Sequence, residues 1–279
     1  MDREGNEHIG LLEKLPEECI LEVVSRTGPM EACRLSVVSK RFLSAAESNI
    51  LWQRLLPSDY QQLLNRSDAS FRKIKFAHKK DLFLFLIGNH VIIDGNTLCF
   101  WLHKRTGKKF FLVAASFIGE GDIEEEFYVR DGWYRSGDKS RFQNRVTVCK
   151  NVEWFEIHGK ISTSILSPNT TYTICLVFHS SIYIDQHFDQ PVKVSIGIDG
   201  VESIRQIVCL NPHKMRSEGD DDLQYPQQRK DDRFEVKLGE YFNREGDEMN
   251  LEITMMEVES EEPKNGPGIE GFELRPKNI

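Results

Sequence analysis

The sequence predicts an α+β fold, with a small N-terminal helical module followed by a β-sandwich domain. Two patterns predict this order. Between residues 11 and 56, apolar residues recur every three or four positions, the spacing of amphipathic helices. From about residue 83, at least seven short β-rich runs are separated by turns, which is typical of a sandwich. The clearest runs are 90–94, 100–102, 154–157, 172–178, 192–198, 234–238 and 251–255.

The composition of the 279 residues limits the classes of partner. Hydrophobic residues make up 39% and charged residues 29%, the balance of a globular protein. The formal net charge is −8, so the chain has no overall basic field for nucleic acid. No apolar run approaches the roughly 20 residues needed to cross a bilayer, and the polar N-terminal residues contain no signal-peptide core. We expect a cytoplasmic and nuclear protein without nucleic-acid or membrane partners.

Four segments are expected along the chain. They are a polar tail at 1–10, the helical module at 11–56, a helical connector at 57–82 and the β domain at 83–279. Within the module, Gly28-Pro29 is expected to end the first helix, and Ser39 can cap a later helix with its side-chain oxygen. The basic face of the connector is typical of solvated surface. Two charged, turn-rich stretches, 217–233 and 257–266, are predicted to be mobile loops.

The helical module is smaller than a comfortably stable core, so its apolar face should be completed by a partner or by the neighbouring domain. The segments Leu15–Leu21, Leu35–Phe42 and Leu51–Trp52, in this order and spacing, resemble the F-box. This resemblance implies docking on a Skp-type adaptor and, through it, on a cullin. The residues expected to bind the adaptor are Leu15, Pro16, Cys19, Ile20, Val23, Val24, Leu35, Val38 and Trp52. The alternative is that this apolar stripe is only the core of a small helical domain.

The remainder of the chain resembles the plant phloem-protein-2 lectin domain of the tobacco-agglutinin type. The matching segments are 93–95, 100–109, 140–142, 154–161, 166–172, 238–243 and 271–276. Together with the F-box, the resemblance covers nearly the whole chain. It implies a plant F-box protein whose lectin-like β-sandwich recruits a client protein or glycoprotein.

The sugar site of that family uses tryptophans, and the first of them is missing here, where the segment Phe117–Asp122 stands. Downstream, Trp133 and Tyr134 can supply the second aromatic residue, with Asp131 and Arg135 beside them in a polar, glycine-containing loop. These four residues are the expected glycan or client contacts. Two other tryptophans, Trp101 and Trp154, lie in strand-like runs and are expected in the core.

The sequence contains no catalytic motif. The eight histidines show no H-E-x-x-H spacing, and neither a G-x-S-x-G elbow nor a G-x-x-x-x-G-K-[ST] loop occurs. The six cysteines have no C-x-x-C pair and lie in apolar surroundings, which favours reduced core thiols. We therefore expect no catalytic residue, no metal site and no cofactor.

Two functions are compatible with these patterns. The first is the substrate-receptor subunit of an Skp–cullin–F-box E3 ubiquitin ligase, which is a non-catalytic adaptor. The alternative is a nucleocytoplasmic lectin for N-acetylglucosamine oligomers or N-glycans, with no ligase role.

Overall fold

The computed structural model describes residues 15–117, 122–127, 141–142, 145–150, 154–179, 190–216, 222–246, 248–258 and 266–277. These residues form two compact units. The helical unit holds the described residues up to Val91 together with Trp101–Lys109. The β unit holds Ile92–Phe100 and the described residues from Phe110 onwards. The predicted α+β fold, with helices first and strands second, is confirmed.

Seven α-helices lie among the described residues of the helical unit. They are α1 (Glu17–Thr27), α2 (Pro29–Leu35), α3 (Lys40–Glu47), α4 (Asn49–Leu55), α5 (Tyr60–Asn65), α6 (Ala69–Arg72) and α7 (Lys79–Gly88). Gly28, at a φ of +94°, ends α1, and Pro29 begins α2, where a missing N–H costs no hydrogen bond. Ser39 caps α3, because its side-chain oxygen accepts a hydrogen bond from the backbone N–H of Phe42 at 3.5 Å. Both predicted helix signals are therefore confirmed.

Trp52 lies at the centre of the helical core. Its side chain is fully buried, its indole N–H donates to the carbonyl oxygen of Ala46 at 2.7 Å, and its ring centroid lies 5.2 Å from that of Phe83 on α7. Because Leu82 and Leu86 are also buried, α7 contributes to the core of this unit. The predicted boundary between residues 82 and 83 thus lies inside a helix. A continuous apolar run does not by itself distinguish a strand from a buried helix.

Fifteen strands lie among the described residues. They are β1 (Val91–Ile93), β2 (Leu98–Leu102), β3 (Lys109–Val113), β4 (Ser116–Phe117), β5 (Asp122–Phe127), β6 (Arg145–Lys150), β7 (Glu156–Ser162), β8 (Thr170–His179), β9 (Val192–Ile198), β10 (Val201–Val208), β11 (Leu223–Gln224), β12 (Gln227–Gln228), β13 (Phe234–Asn243), β14 (Asn250–Glu257) and β15 (Gly268–Pro276). Each of the seven runs predicted as strands overlaps one of them.

The strands form two sheets. The first has the order β1-β2-β3-β15-β8-β13-β12, with β6 pairing with β15 and β5 with β6. The second has the order β11-β10-β9-β14-β7-β4. Their central strands pair antiparallel: β8 lies between β13 and β15 in the first sheet, and β14 lies between β7 and β9 in the second. Strands adjacent in a sheet are often distant in sequence, as in a sandwich.

The two sheets pack face to face in the predicted sandwich. Gly159 on β7 lies against the ring of Phe272 on β15, so closely that a Cβ atom at this position would overlap the ring. Gly239 on β13 lies against Ile196 on β9, whose Cδ1 atom would be 2.9 Å from an added Cβ. Glycine is therefore needed where a large side chain of the opposite sheet fills the space between them.

An ion-pair network, much of it buried, lies within the β unit. Its members are Arg141, Arg229, Asp231, Arg233, Glu235, Glu270, Glu273 and Arg275. Glu270, whose side chain is 0% exposed, accepts hydrogen bonds from the backbone N–H of Arg141 at 2.7 Å and from Arg233 Nε at 2.8 Å. Glu273 accepts from Arg141 and, at 3.1 Å, from Arg229 Nη1. The buried carboxylates are thus paired with guanidinium groups, as burial of charge requires.

These contacts correct one prediction. Residues 222–233 belong to a stretch predicted as a mobile loop, but they contain β11, β12 and the largely buried Arg233. The prediction was wrong for this part because the acidic partners of its arginines, Glu270 and Glu273, lie about forty residues further along the chain. Local composition gives no sign of such a distant pairing.

The five cysteines whose side chains the structure describes, Cys19, Cys33, Cys99, Cys175 and Cys209, are free thiols. Cys99, Cys175 and Cys209 are buried, as predicted, whereas Cys19 and Cys33 are exposed on the helical unit, so the prediction of core thiols was wrong for these two. Among the five described thiols, those of Cys19 and Cys33 therefore lie at the surface.

We expect Gly159→Ala to destabilise the β unit by about 1–3 kcal/mol, because the added methyl group overpacks the ring of Phe272. Urea unfolding of the full chain, followed by circular dichroism, measures the change. Gly88→Ala is the control, because nothing lies within 4 Å of a Cβ at that position and alanine favours helix. If Gly159→Ala is as stable as the wild type, the described packing of Gly159 against Phe272 is contradicted.

We expect Glu270→Gln to lower the free energy of unfolding at neutral pH by about 3–5 kcal/mol, because it removes the buried carboxylate shared by Arg141 and Arg233 and leaves the network with an excess positive charge. Burial alone would raise the pKa of Glu270, but Arg141 and Arg233 outweigh burial and hold this pKa at about 2, below its ordinary value of 4.5. The carboxylate therefore stabilises the fold fully above about pH 4.5, and this contribution is lost as the pH falls toward 2.

The measurement is the melting temperature of the wild type and the variant between neutral pH and pH 2. The variant should lose less stability than the wild type over the acidic window. Glu252→Gln is the control, because it breaks only the exposed pair with Lys160 and should change the profile little. An acid profile of Glu270→Gln parallel to that of the wild type would argue against this role.

Candidate functional site

Helix α1 carries apolar residues on two faces. Ile20 and Val24 are buried, at 1% and 0% exposure, whereas Cys19 is exposed and Val23 is 44% exposed. Pro16, at the N-terminal end of the helix, is exposed as well. Since Pro16, Cys19 and Val23 are three and four residues apart, they follow one side of the helix. We call this side, defined by Pro16, Cys19 and Val23, the accessible apolar side of α1.

The nine predicted adaptor-binding residues thus fall into three groups by exposure. Ile20, Val24 and Trp52 are buried; Leu15 and Leu35 are half-buried; Pro16, Cys19, Val23 and Val38 are exposed. The buried residues pack the helices against one another. The other six residues are accessible to a partner without unfolding of the unit.

A second group of exposed apolar residues surrounds the start of α3. Val37 is 87% exposed and Val38 is 48% exposed in the turn before the Ser39 cap, and Leu43 on α3 is 45% exposed. Helix α1 packs against both α2 and α3, so this group belongs to the same helical cluster as the accessible apolar side of α1. The sequence analysis did not include Val37 among the adaptor-binding residues, although the Val37-Val38 pair directly before a cap residue could have indicated it.

Polar contacts hold α1 in place. Arg54 Nη1 on α4 lies 2.8 Å from Glu22 Oε2, Ser44 Oγ on α3 donates to Glu17 Oε1 at 3.1 Å, and Arg41 donates to the carbonyl oxygen of Leu15 at 2.5 Å. The hydrogen bond and charge of Arg26, reinforced by Arg54, lower the pKa of Glu22. Exposed contacts of this kind add little stability, but they orient α1 on its neighbours.

A different candidate site lies on the outer face of the second sheet. Trp154 was expected in the core, but it precedes β7 and is 36% exposed. The expectation was wrong because successive side chains of a strand point to opposite faces of the sheet. In this run the inward-facing residues are Phe155 and Ile157, which are fully buried. Trp154 therefore points to the outer side of the sheet, with Glu156 and His158.

The groups beside Trp154 are linked by hydrogen bonds. Its indole N–H donates to Glu156 Oε2 at 3.3 Å, while Glu156 Oε1 lies 2.8 Å from His158 Nε2. The other ring nitrogen of His158, Nδ1, lies 3.2 Å from Thr254 Oγ1 on the neighbouring strand β14. We call these four residues the Trp154 cluster. It combines a partly exposed aromatic ring with a carboxylate, an imidazole and a hydroxyl group.

The four predicted glycan or client contacts, Asp131, Trp133, Tyr134 and Arg135, lie outside the described residues and stay a prediction. Trp101, also expected in the core, lies in β2 and is half-buried.

No group of three or more His, Cys, Asp or Glu side chains within the described parts of the chain is placed to hold a metal ion. None of the helices in those parts combines the length and the apolar character needed to cross a membrane.

Comparisons with known proteins cover both units. The F-box domain matches residues 12–54, and the phloem protein 2 family matches residues 124–276. The Arabidopsis thaliana F-box protein At2g02240 is 35% identical over 266 residues, which are 94% of this chain and 79% of that protein. F-box protein PP2-B10 from the same plant is 32% identical over 271 residues, covering 96% and 94% of the two chains.

A solved structure, that of a family 35 carbohydrate-binding module from Clostridium thermocellum, covers 59% of this chain and 90% of its own at 11% identity. Its TM-score of 0.26 is too low to support an inference about function. The sequence relationships, in contrast, are decisive. The chain belongs to the family of F-box proteins that carry a phloem protein 2 domain.

Proposed function

We propose that this chain is the substrate-receptor subunit of an Skp–cullin–F-box E3 ubiquitin ligase in the cytoplasm and nucleus. The helical unit binds the Skp-type adaptor and, through it, the cullin, while the β unit recruits a client protein or glycoprotein. The observation that carries this proposal is the accessible apolar side of α1, which lies within the segment that matches the F-box.

The proposed interface has the composition of a protein-binding surface. Its apolar centre is formed by the accessible apolar side of α1 with Val37 and Val38, and charged residues such as Glu22, Arg26 and Arg34 lie near it in sequence on α1 and α2. Burial of apolar area contributes roughly 25 cal/mol per Å², so a few such side chains can dominate the affinity. The subunit acts by bringing the client to the ligase and makes or breaks no bond itself.

We expect Val23→Glu combined with Val38→Glu to weaken co-purification of the full chain with a Skp-type adaptor by at least about tenfold, because each change places a carboxylate in the apolar centre of the interface. Both positions are exposed, so the fold should be kept, and circular dichroism checks this. Leu84→Glu is the matched control, because Leu84 is 45% exposed on α7. Full adaptor binding by the double variant would refute the proposed interface.

The Trp154 cluster favours a second candidate function, a lectin for N-acetylglucosamine oligomers or N-glycans. The apolar face of a pyranose stacks on an aromatic ring, while its hydroxyl groups need hydrogen-bond donors and acceptors at the edge. Trp154 offers the ring, and Glu156, His158 and Thr254 offer the polar groups on one sheet face. A lectin of this kind has no need of the adaptor.

We expect Trp154→Ala to reduce glycan binding by the full chain about tenfold or more, because it removes the stacking surface. A glycan array followed by titration of the strongest ligand measures the effect. Phe242→Ala is the matched control, because Phe242 is 50% exposed on β13 of the other sheet. If the array shows no signal, or if the two variants bind equally well, the Trp154 cluster is not a glycan-binding site.

A further inference from the structure

A groove lies within the helical unit between α4 and the segment that leads into α7. Its cavity volume is about 550 Å³, inside the range of roughly 300–1,000 Å³ typical of ligand pockets. Ile50, Phe76 and Leu82 form apolar parts of its lining, and Arg54 and Lys79 add cationic groups. The groove therefore combines an apolar floor with positive charge at its edge.

The groove is formed by groups that already have partners. Phe76 packs against Phe85, with ring centroids 5.3 Å apart, and against Phe71, at 6.3 Å. The backbone N–H of Lys79 donates to Asn49 Oδ1 at 2.8 Å, which ties the start of α7 to the start of α4. A ligand would thus enter a largely preformed site and would lose little affinity to ordering of the protein.

The charges around the groove are not balanced. Arg54 is paired with Glu22 at 2.8 Å and Lys80 with Glu47 at 2.5 Å, so these two cations are neutralised. The side-chain ammonium of Lys79, in contrast, has no carboxylate partner among the described residues; it donates to the phenol oxygen of Tyr60 at 2.7 Å and lies over the tyrosine ring. One carboxylate, that of Asp81, lies near by on α7 and accepts from the backbone N–H of His78 at 3.3 Å.

Two further cations precede the groove in the chain. Lys73 and Lys75, just before Phe76, are exposed and have no carboxylate partner among the described residues. Between them lies Ile74, which is 43% exposed. Because Lys75 directly precedes the lining residue Phe76, Lys73 and Lys75 bring two more lysines without a carboxylate partner close to the groove, in addition to Lys79 of the lining.

We infer that this groove binds a short acidic segment of a partner protein, with an apolar side chain seated on Ile50, Phe76 and Leu82 and carboxylates facing Lys73, Lys75 and Lys79. The inference goes beyond the proposed function, because it uses a surface of α4 and α7 rather than the accessible apolar side of α1. Charge complementarity selects the partner: an apolar groove with a cationic edge discriminates against basic segments.

The same cations do not favour nucleic acid. Non-specific binding of a phosphate backbone rests on many cationic contacts and on aromatic faces for stacking bases. Here three lysines are uncompensated, and Phe76 is half-buried against Phe71 and Phe85. An acidic peptide needs fewer charges and uses the apolar floor.

The test is fluorescence anisotropy of the full chain with a short labelled peptide in which leucines alternate with pairs of glutamates. Two matched peptides replace every glutamate by glutamine, or every leucine by glycine. We expect each replacement to weaken binding about tenfold, since one removes the charge and the other the apolar anchor. A labelled oligouridine is measured in parallel as the nucleic-acid alternative.

Lys73→Glu combined with Lys75→Glu should weaken binding of the acidic peptide by about tenfold or more. Lys104→Glu with Arg105→Glu is the matched control, because it makes the same change of charge at two exposed residues of the same unit. Ile50→Ser, at a position 58% exposed, should weaken binding several-fold without disturbing the core.

Three results would overturn the inference: no binding of the acidic peptide, equal loss in the control variant, or tighter binding of oligouridine that Lys73→Glu with Lys75→Glu abolishes. The outcome is separable from that of the proposed function, because the Val23→Glu, Val38→Glu variant tests adaptor binding and leaves the groove unchanged. Loss of adaptor binding with retained peptide binding would support both surfaces independently.

Discussion

The constraint on which the helical unit depends is that its short helices can bury only part of their apolar surface. On α1, Ile20 and Val24 are used by the core, and no further layer of described helix covers Pro16, Cys19 and Val23. A single exposed valine on a protein surface needs no explanation. A row of exposed apolar residues at one-turn spacing, on a helix whose opposite face is fully packed, is different, because its cost in water is recovered only when a partner covers it.

In the β unit, by contrast, even charged residues are buried. Glu270 and Glu273 lie on a central strand of the first sheet and are satisfied by arginines from distant parts of the chain. Replacing such a network by apolar residues is often neutral or stabilising, so net stability alone does not account for it. What the network does provide is a unique placement for Arg141 and for the segment that carries Arg229 and Arg233, because each carboxylate accepts from specific guanidinium groups.

Local signals predicted most of the fold, and long-range contacts account for what they missed. The Gly28-Pro29 helix break, the Ser39 cap and the seven strand runs depend on neighbouring residues, and each is found. Val23 is exposed and Val24 is buried because only one face of α1 packs against the core. A continuous apolar stripe in the sequence does not show which face this is. The prediction that Trp154 lies in the core was wrong for a related reason. The period of the strand was predicted correctly, but the face of the sheet that packs against the core was not. The charge network and the groove beside α4 join residues far apart in sequence, so no local pattern could indicate them.

The large pKa shifts among the described residues arise from burial and from buried ion pairs. Enzymes shift pKa values toward the working pH, so that a group can exchange protons or act as a nucleophile. Here the large shifts go the other way. Burial raises the pKa of Cys99 and of Cys175 to about 12, which leaves these thiols protonated and unreactive. Glu270, at about 2, stays ionised at every physiological pH because Arg141 and Arg233 hold it. These groups serve the packing of the β unit.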